Sequence, residues 1–293
     1  MSDERVLGVI GGSGLYELEG MTSVERVRVD TPFGEPSDEY VTGRLGDVRL
    51  VFLPRHGRGH RVLPHEINFR ANIYGMKKLG VDWILSVSAV GSMRPDIRPG
   101  DFVIVDQFFD RTRARPSSFF GEGAAGHVQL ADPVCPVLAE NVHGAAVAAM
   151  EAVGTGAKVH KGGTYIVIDG PQFSTRAESR IYRSWGVDVI GMTNMPEAKL
   201  AREAEICYST VALSTDYDCW HETEEDVSVE AVLAVIRRNV EAARELIRRL
   251  APTISSPRTC GCASAARHAL MTAHESISAE TRTRLGFILG KYL

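Results

Sequence analysis

The chain has 293 residues, 44% of them apolar and 24% charged, which is an ordinary globular composition. A formal net charge of −4 and a pI near 6.2 leave no electrostatic footprint for nucleic acid or an anionic membrane surface. No apolar run is long enough to span a bilayer, and Met1 to Arg5 lacks a signal-peptide pattern, so a cytoplasmic location is expected.

Arg5 to Ile10 reads as a buried strand that runs into Gly11-Gly12-Ser13-Gly14. Such a loop serves as a plain tight turn or as an anion nest of successive N–H groups. It has neither the Gly-Lys-Ser/Thr of a Walker A loop nor the G-x-G-x-x-G dinucleotide spacing. A second strand, Val48 to Leu53, ends in Arg55 and His56, where a guanidinium fork suits an anion or an ion pair equally. A helix is predicted over Ile67 to Leu79, stopping at Gly80. A third strand, Trp83 to Ser88, delivers the Ser88 hydroxyl and the Ala89 N–H to the loop after it. Shorter strands are predicted at Phe102 to Val105, Tyr165 to Ile168 and Asp188 to Ile190, the last followed by Met192 and Thr193. Helices are predicted over Val137 to Met150, Arg176 to Trp185, Pro196 to Glu205 and Val229 to Leu250. The last carries the clearest apolar face and has Ser228 as its N-cap.

Alternating strands and helices predict an α/β fold. We expect a single domain over 1–251, with a mixed, mostly parallel twisted sheet flanked by helices. Residues 252–293 are expected to form an accessory helical tail packed on it. Five cysteines without a secretion signal argue against a disulfide framework. Cys260-Gly261-Cys262 resembles a redox or metal element. Its spacing lacks the second ligand pair of a zinc ribbon, so no metal site is predicted.

The apolar run from Tyr208 ends in Asp216 and Asp218. Residues two apart in an extended segment face one side. Two carboxylates are therefore expected in one crevice beyond the strand ends, where ligands of open α/β sheets bind. Burial and mutual repulsion would raise the proton affinity of one of them, which suits a general acid at neutral pH.

The segments Gly8 to Leu15, Asp30 to Ser37, Arg55-His-Gly-Arg-Gly-His60, Asp106 to Thr112, Gly170-Pro-Gln-Phe-Ser-Thr-Arg-Ala-Glu178, Met192-Thr-Asn-Met-Pro-Glu197 and Ser214-Thr-Asp-Tyr-Asp-Cys-Trp220 occur in this order. In these the chain resembles the trimeric branch of the purine nucleoside phosphorylases, and within it the members acting on 5′-methylthioadenosine. The resemblance covers about residues 5 to 250. It implies phosphorolysis to adenine and 5-methylthioribose 1-phosphate, in methionine and purine salvage, by a homotrimer or hexamer without metal or organic cofactor. Inorganic phosphate is then a co-substrate. By the same resemblance Ser13, Arg55, His56, Ser88, Ala89 and Thr193 match phosphate-binding positions. Met192 matches the ribose contact and Phe173 the aromatic beside the purine, while Ser174, Thr215, Asp216 and Asp218 match the base-binding group. His60, Val229 and Val232 match the 5′-alkylthio pocket, and His127 a histidine lent by a neighbouring subunit. Asp216 is expected to protonate N7, and Asp-x-Asp to favour adenine over 6-oxopurines. Thermophilic relatives with a C-x-C near the C-terminus use disulfides, which leaves the state of Cys260 and Cys262 open. The alternatives are a broad-specificity purine nucleoside phosphorylase or methylthioinosine phosphorylase, a non-catalytic nucleotide sensor, and a redox enzyme.

Overall fold

Eleven strands, among the described residues, form one mixed sheet: β1 (Arg5–Gly11), β2 (Thr22–Val27), β3 (Tyr40–Leu45), β4 (Val48–Pro54), β5 (Trp83–Ser92), β6 (Phe102–Val105), β7 (Gln107–Asp110), β8 (Val159–Lys161), β9 (Thr164–Val167), β10 (Val189–Gly191) and β11 (Cys207–Asp216). The helices are α1 (Phe69–Lys78), α2 (Pro136–Val153), α3 (Arg176–Ser184), α4 (Asn194–Glu203), α5 (Val229–Leu250) and α6 (Ala279–Leu289). This computed structural model describes residues 4–12, 14–15, 18–221 and 229–293, without the side chains of 229–232, 234 and 236–238. Ser228 lies outside the described residues, as does Ser13, and the side chains of Val229 and Val232 are not described.

Strands β4, β1, β5 and β11 run parallel and form the buried centre. Side-chain alternation splits their apolar residues between two layers. Ile10, Val51, Leu53 and Ile84 enter one core, under α1 and α4. Leu7, Val9, Leu50, Phe52 and Leu85 enter the other, with Leu138 and Val142 of α2 and Leu246 and Leu250 of α5. Strands covered on both faces read as continuous apolar runs, which is why these were legible.

Strand β5 organises the site. On one edge β1 pairs with Leu85 and Ser86 but goes no further, and β10 pairs antiparallel only with Gly91 and Ser92. No described strand pairs with Val87 to Val90 along that edge, while β11 continues along the opposite one. The sheet therefore splits where parallel pairing gives way to antiparallel pairing. A reversal of this kind opens a crevice for a ligand.

The third strand runs on to Ser92, so Ala89 lies within it and not in a following loop. Four strands are missing from the sequence reading: the internal β3, paired on both sides by β2 and β4, and three edge or short elements. All but the last residue of β2 are exposed and polar-rich, β7 is half exposed, and β8 has three residues.

The C-terminal segment packs back onto the first core through Leu285, Ile288 and Leu289. Tyr292 Oη donates to the buried Glu205 at 2.7 Å, and Arg284 Nη2 donates to Gly121 O at 2.8 Å. No helix among the described residues is long and apolar enough to cross a membrane.

Candidate active site

The split in the sheet is lined at one end by hydroxyls. Ser88 Oγ lies 2.7 Å from Thr193 Oγ1 and 3.2 Å from Tyr165 Oη, all three residues being buried. The antiparallel course of β10 returns the chain along β5, which brings Thr193 opposite Ser88. Next along β5, Ala89 is exposed although it lies in a central strand. A small exposed residue there makes a floor open to a ligand.

Arg55 is 2% exposed, and its fork is occupied. Nε donates to Glu197 Oε2 at 2.9 Å and Nη2 to Glu197 Oε1 at 3.1 Å. Nη2 also donates to Ser86 Oγ, and Nη1 to Val87 O. The bidentate partner is thus a protein carboxylate, the ion-pair alternative that the sequence had left open. Among the described residues, one Nη1 hydrogen has no partner. Glu197 in turn accepts from Tyr208 Oη at 2.9 Å, and Asn194 Nδ2 donates to Thr210 Oγ1 at 2.9 Å. This buried network of Glu197, Asn194, Ser86, Tyr208 and Thr210 escaped the sequence reading. Its signal, polar residues inside otherwise apolar strands, was present in Ser86 and Thr210.

His56 Nδ1 lies 2.9 Å from Val62 O, so it carries the proton and leaves Nε2 as an acceptor. Burial, the largest influence, pushes the imidazole down to about 4, so His56 is neutral at pH 7. A neutral acceptor suits a phosphate that still bears a proton. The His60 ring stacks on it, with centroids 4.4 Å apart.

The other end of the split holds the two aspartates. Strand β11 ends at Asp216, which pairs with Gly91 across an irregular register. Asp218 then takes φ 52°, a left-handed turn. Extended alternation therefore does not bring the carboxylates together, as the sequence reading supposed; the turn does. Asp218 N donates to Asp216 Oδ1 at 2.8 Å, and Thr215 Oγ1 lies 2.6 Å from Asp216 Oδ2. Thr215 Oγ1 also donates to Val90 O at 3.1 Å. With that donation in place, Thr215 can accept a proton-bearing Oδ2. The hydroxyl therefore serves either protonation state of Asp216.

Burial pushes Asp216 up to about 6, and the Asp218 charge adds to it while the Thr215 and Asp218 N–H contacts oppose it. Burial also raises Asp218, opposed by the nearby Ser179 hydroxyl and the Cys219 backbone. Asp216 is thus poised as an acid near neutrality, chiefly by desolvation.

Two loops close over this end. Cys219 Sγ donates to Ser174 O at 3.3 Å, tying the aspartate turn to the segment before α3. Ser174 Oγ is buried and has no hydrogen-bond partner among the described residues, and Phe173 beside it is 48% exposed. Gly170, at φ 64°, touches Met192, and a side chain at 170 would collide with its sulfur. Arg115 secures this corner by donating to Met192 O at 2.9 Å and Asp169 O at 2.8 Å. His127 is not brought to the crevice of its own chain. It is exposed and lines a separate cavity of about 800 Å³ with Gln129, Asp132 and Cys260.

From Ser88 to Gly91 is three residues, roughly 10 Å of strand. A hydroxyl pair and a carboxyl group are thus held at opposite ends of a span about as long as a nucleoside. The approach of Asp216 to β5 depends on Gly91, because a Cβ there would sit 2.8 Å from Asp216 Oδ1. Gly91→Ala is expected to lower kcat by ~10–100-fold through displacement of the acid. Steady-state kinetics beside an unchanged circular dichroism spectrum would check it.

The family model for the phosphorylase superfamily matches residues 6–252. The chain belongs to this superfamily. Within it, the chain is 61% identical over 291 residues to the S-methyl-5′-thioadenosine phosphorylase of Geobacter sulfurreducens, covering 99% of this chain and 100% of the relative. It is 54% identical to that of Koribacter versatilis, over 98% of this chain and 96% of the relative. Among solved structures, a methylthioadenosine phosphorylase from an Antarctic soil metagenomic library superposes with a TM-score of 0.92 at 47% identity, covering 98% of this chain and 100% of that one. The methylthioadenosine phosphorylase of Schistosoma mansoni in complex with adenine gives 0.80 at 38% identity, over 86% of this chain and 93% of that one. These superfamily members share the sheet that carries the crevice.

Proposed function

We propose that this member of the superfamily is an S-methyl-5′-thioadenosine phosphorylase. It transfers the methylthioribosyl group of 5′-methylthioadenosine from adenine to inorganic phosphate. The observation that carries the reading is the split along β5, with a Ser88–Thr193 hydroxyl pair at one end and the largely buried Asp216, its proton affinity raised by burial, at the other.

Phosphate sits at the Ser88, Ala89, Thr193 and His56 end, with Arg55 supplying positive charge from below and Ser13 completing the loop side. His56 Nε2 accepts a hydrogen bond from the protonated phosphate oxygen. An oxygen of phosphate forms the bond to C1′ as the C1′–N9 bond breaks. Charge builds on the purine, and Asp216 gives its proton to N7. The proton that hydrogen phosphate loses on becoming an ester balances the one adenine keeps. Positioning and charge complementarity supply the rate enhancement, without a metal or organic cofactor. Met192 lies against the ribose and Phe173 against the purine. Ser174 offers its unpartnered hydroxyl to the base, and Asp218 accepts from the exocyclic amino group. His60, Val229 and Val232 surround the alkylthio group. His127 reaches this pocket from a neighbouring subunit, so the active form is a homo-oligomer. The enzyme acts on small molecules, in the cytoplasm.

Loss of the Thr193 hydroxyl removes a hydrogen bond to a charged group. Thr193→Val is therefore expected to raise the KM for phosphate by ~10–100-fold, with a smaller effect on nucleoside KM. Initial rates at varied phosphate would show it, and an unchanged phosphate KM would take Thr193 out of the site. For the reading as a whole, kcat/KM for methylthioadenosine should exceed that for inosine and methylthioinosine. A preference for either 6-oxopurine nucleoside would reassign the substrate while keeping the phosphate site.

A further inference from the structure

Four cysteines, distant in sequence, meet where the C-terminal segment joins the sheet. The sulfurs of Cys135, Cys207, Cys260 and Cys262 all lie within 4.8 Å of one another. Three are buried, and Cys260 is partly exposed. The four carry no disulfide, and Cys207 and Cys260 stand 3.2 Å apart. Each comes from a rigid or anchored position. Cys135 is the N-cap of α2, Cys207 is the first residue of β11, and Cys260 and Cys262 flank the start of a 3₁₀ turn over Gly261–Ser264.

From this geometry we propose a structural zinc site in which all four thiolates bind one ion. Tetrahedral zinc at a Zn–S distance of ~2.3 Å places its sulfurs roughly 3.8 Å apart, between the 3.2 Å of Cys207–Cys260 and the 4.8 Å within which all four lie. A full set of four protein sulfurs leaves no open position, the mark of a structural and not a catalytic zinc. An iron–sulfur cluster would spread the thiolates wider, because they would be divided among two or four irons. Four thiolates on a divalent ion leave a net double negative charge, and the surroundings answer it. Arg258 Nη1 lies 3.8 Å from Cys207 Sγ and donates to Glu205 O at 2.7 Å, which fixes the guanidinium beside the cluster. The N-terminus of the 18-residue α2 points its partial positive charge at Cys135. Cys260 and Cys262 also line the cavity shared with His127, which gives the ion a route in.

The sequence reading predicted no metal because it considered only the C-x-C. The remaining ligands lie in a helix cap and a strand start, which no local spacing reveals. Binding releases the thiol protons and requires no oxidant. Its consequence is mechanical: the ion pins the C-terminal segment to α2 and β11, beside Glu205, which also anchors Tyr292. The inference does not depend on phosphorolysis.

The test is metal content and cobalt spectroscopy on the full chain purified under reducing conditions without chelator. Elemental analysis should give one zinc per chain. Cobalt(II) added after removal of zinc should give the intense red-region d–d bands and the sulfur-to-metal charge-transfer band of a tetrahedral tetrathiolate. Cys260→Ser and Cys262→Ser should each weaken zinc binding by more than ~100-fold, beyond what an outer-shell change does. Cys219→Ser should leave the cobalt spectrum unchanged. The wild-type cobalt spectrum does not depend on any variant folding. Recovery of the four cysteines as two disulfides in freshly isolated protein would overturn the proposal. So would four reactive thiols with no zinc or cobalt bound.

Discussion

Asp216→Asn is expected to lower kcat for methylthioadenosine by at least ~10²–10⁴-fold, the range of general acid catalysis. Wild-type kcat should fall as pH rises through the acid's titration, because Asp216, pushed up to about 6 in the free protein, is the form that must carry the proton. That alkaline limb should disappear in the variant. Wild-type stability should fall over the same pH range, while the variant, which loses activity, should gain stability relative to it there. A carboxyl whose folded value lies above its unfolded 3.8 holds a proton in the native state that the unfolded chain has released. Its stabilising effect is fully present below 3.8 and is lost as pH rises through about 6. Above that, the wild type holds a partly desolvated charge which asparagine lacks. The variant should therefore be more stable at pH 7.5 by up to ~3 kcal/mol and match the wild type near pH 3.5. Urea denaturation at the two pH values measures this. Near-normal turnover by Asp216→Asn at neutral pH would reduce Asp216 to a structural turn residue.

Arg55→Ala is expected to unfold the protein more than it disables phosphate binding. The substitution leaves Glu197, with a fully buried side chain, without its bidentate partner. Breaking such a pair costs about 3–5 kcal/mol, a large part of a domain's whole stability. It also strips donors from Ser86 Oγ and Val87 O at the edge of the crevice. Arg55→Met combined with Glu197→Leu should recover most of the stability, because no buried charge is left alone. The double variant should still lose phosphate affinity, since the positive charge beneath the hydroxyl pair is gone. Denaturation midpoints for the single and double variants, with the phosphate KM of the double, separate the two roles. Full stability in Arg55→Ala would mean that Glu197 does not depend on it.

Much of this architecture was legible because the central strands are buried on both faces. Val48 to Leu53, Trp83 to Ser88 and Phe102 to Val105 are apolar and β-branched whichever face they turn, so no alternation had to be resolved. The amphipathic α5 was bounded as Val229–Leu250 by its helical period. Elements that rest on partners were not legible. β2 is an exposed edge strand held by pairing with β3, and its own sequence carries no apolar pattern. The positions of Asp216 and Asp218 were read from spacing, but their geometry follows from a left-handed turn that spacing does not encode. Arg55 was visible as a cation. Its engagement by Glu197 was not, because that contact joins residues 142 apart in the chain. Glu203 is a similar case. Burial pushes it up to about 7, and its carboxyl binds Ser118 and Phe119 N across the same core, a link no local motif announces.

The central claim is that an anion site near Ser88 and an acid at Asp216 act on one substrate held between them. Its most direct measurement is ³¹P NMR of the protein with 5′-methylthioadenosine and orthophosphate, with adenine followed in the same sample. The account predicts one equivalent of a pentose phosphate monoester for every adenine released, and no adenine once phosphate is removed. Adenine appearing while orthophosphate stays unconsumed would contradict it, because the nucleophile would then be water.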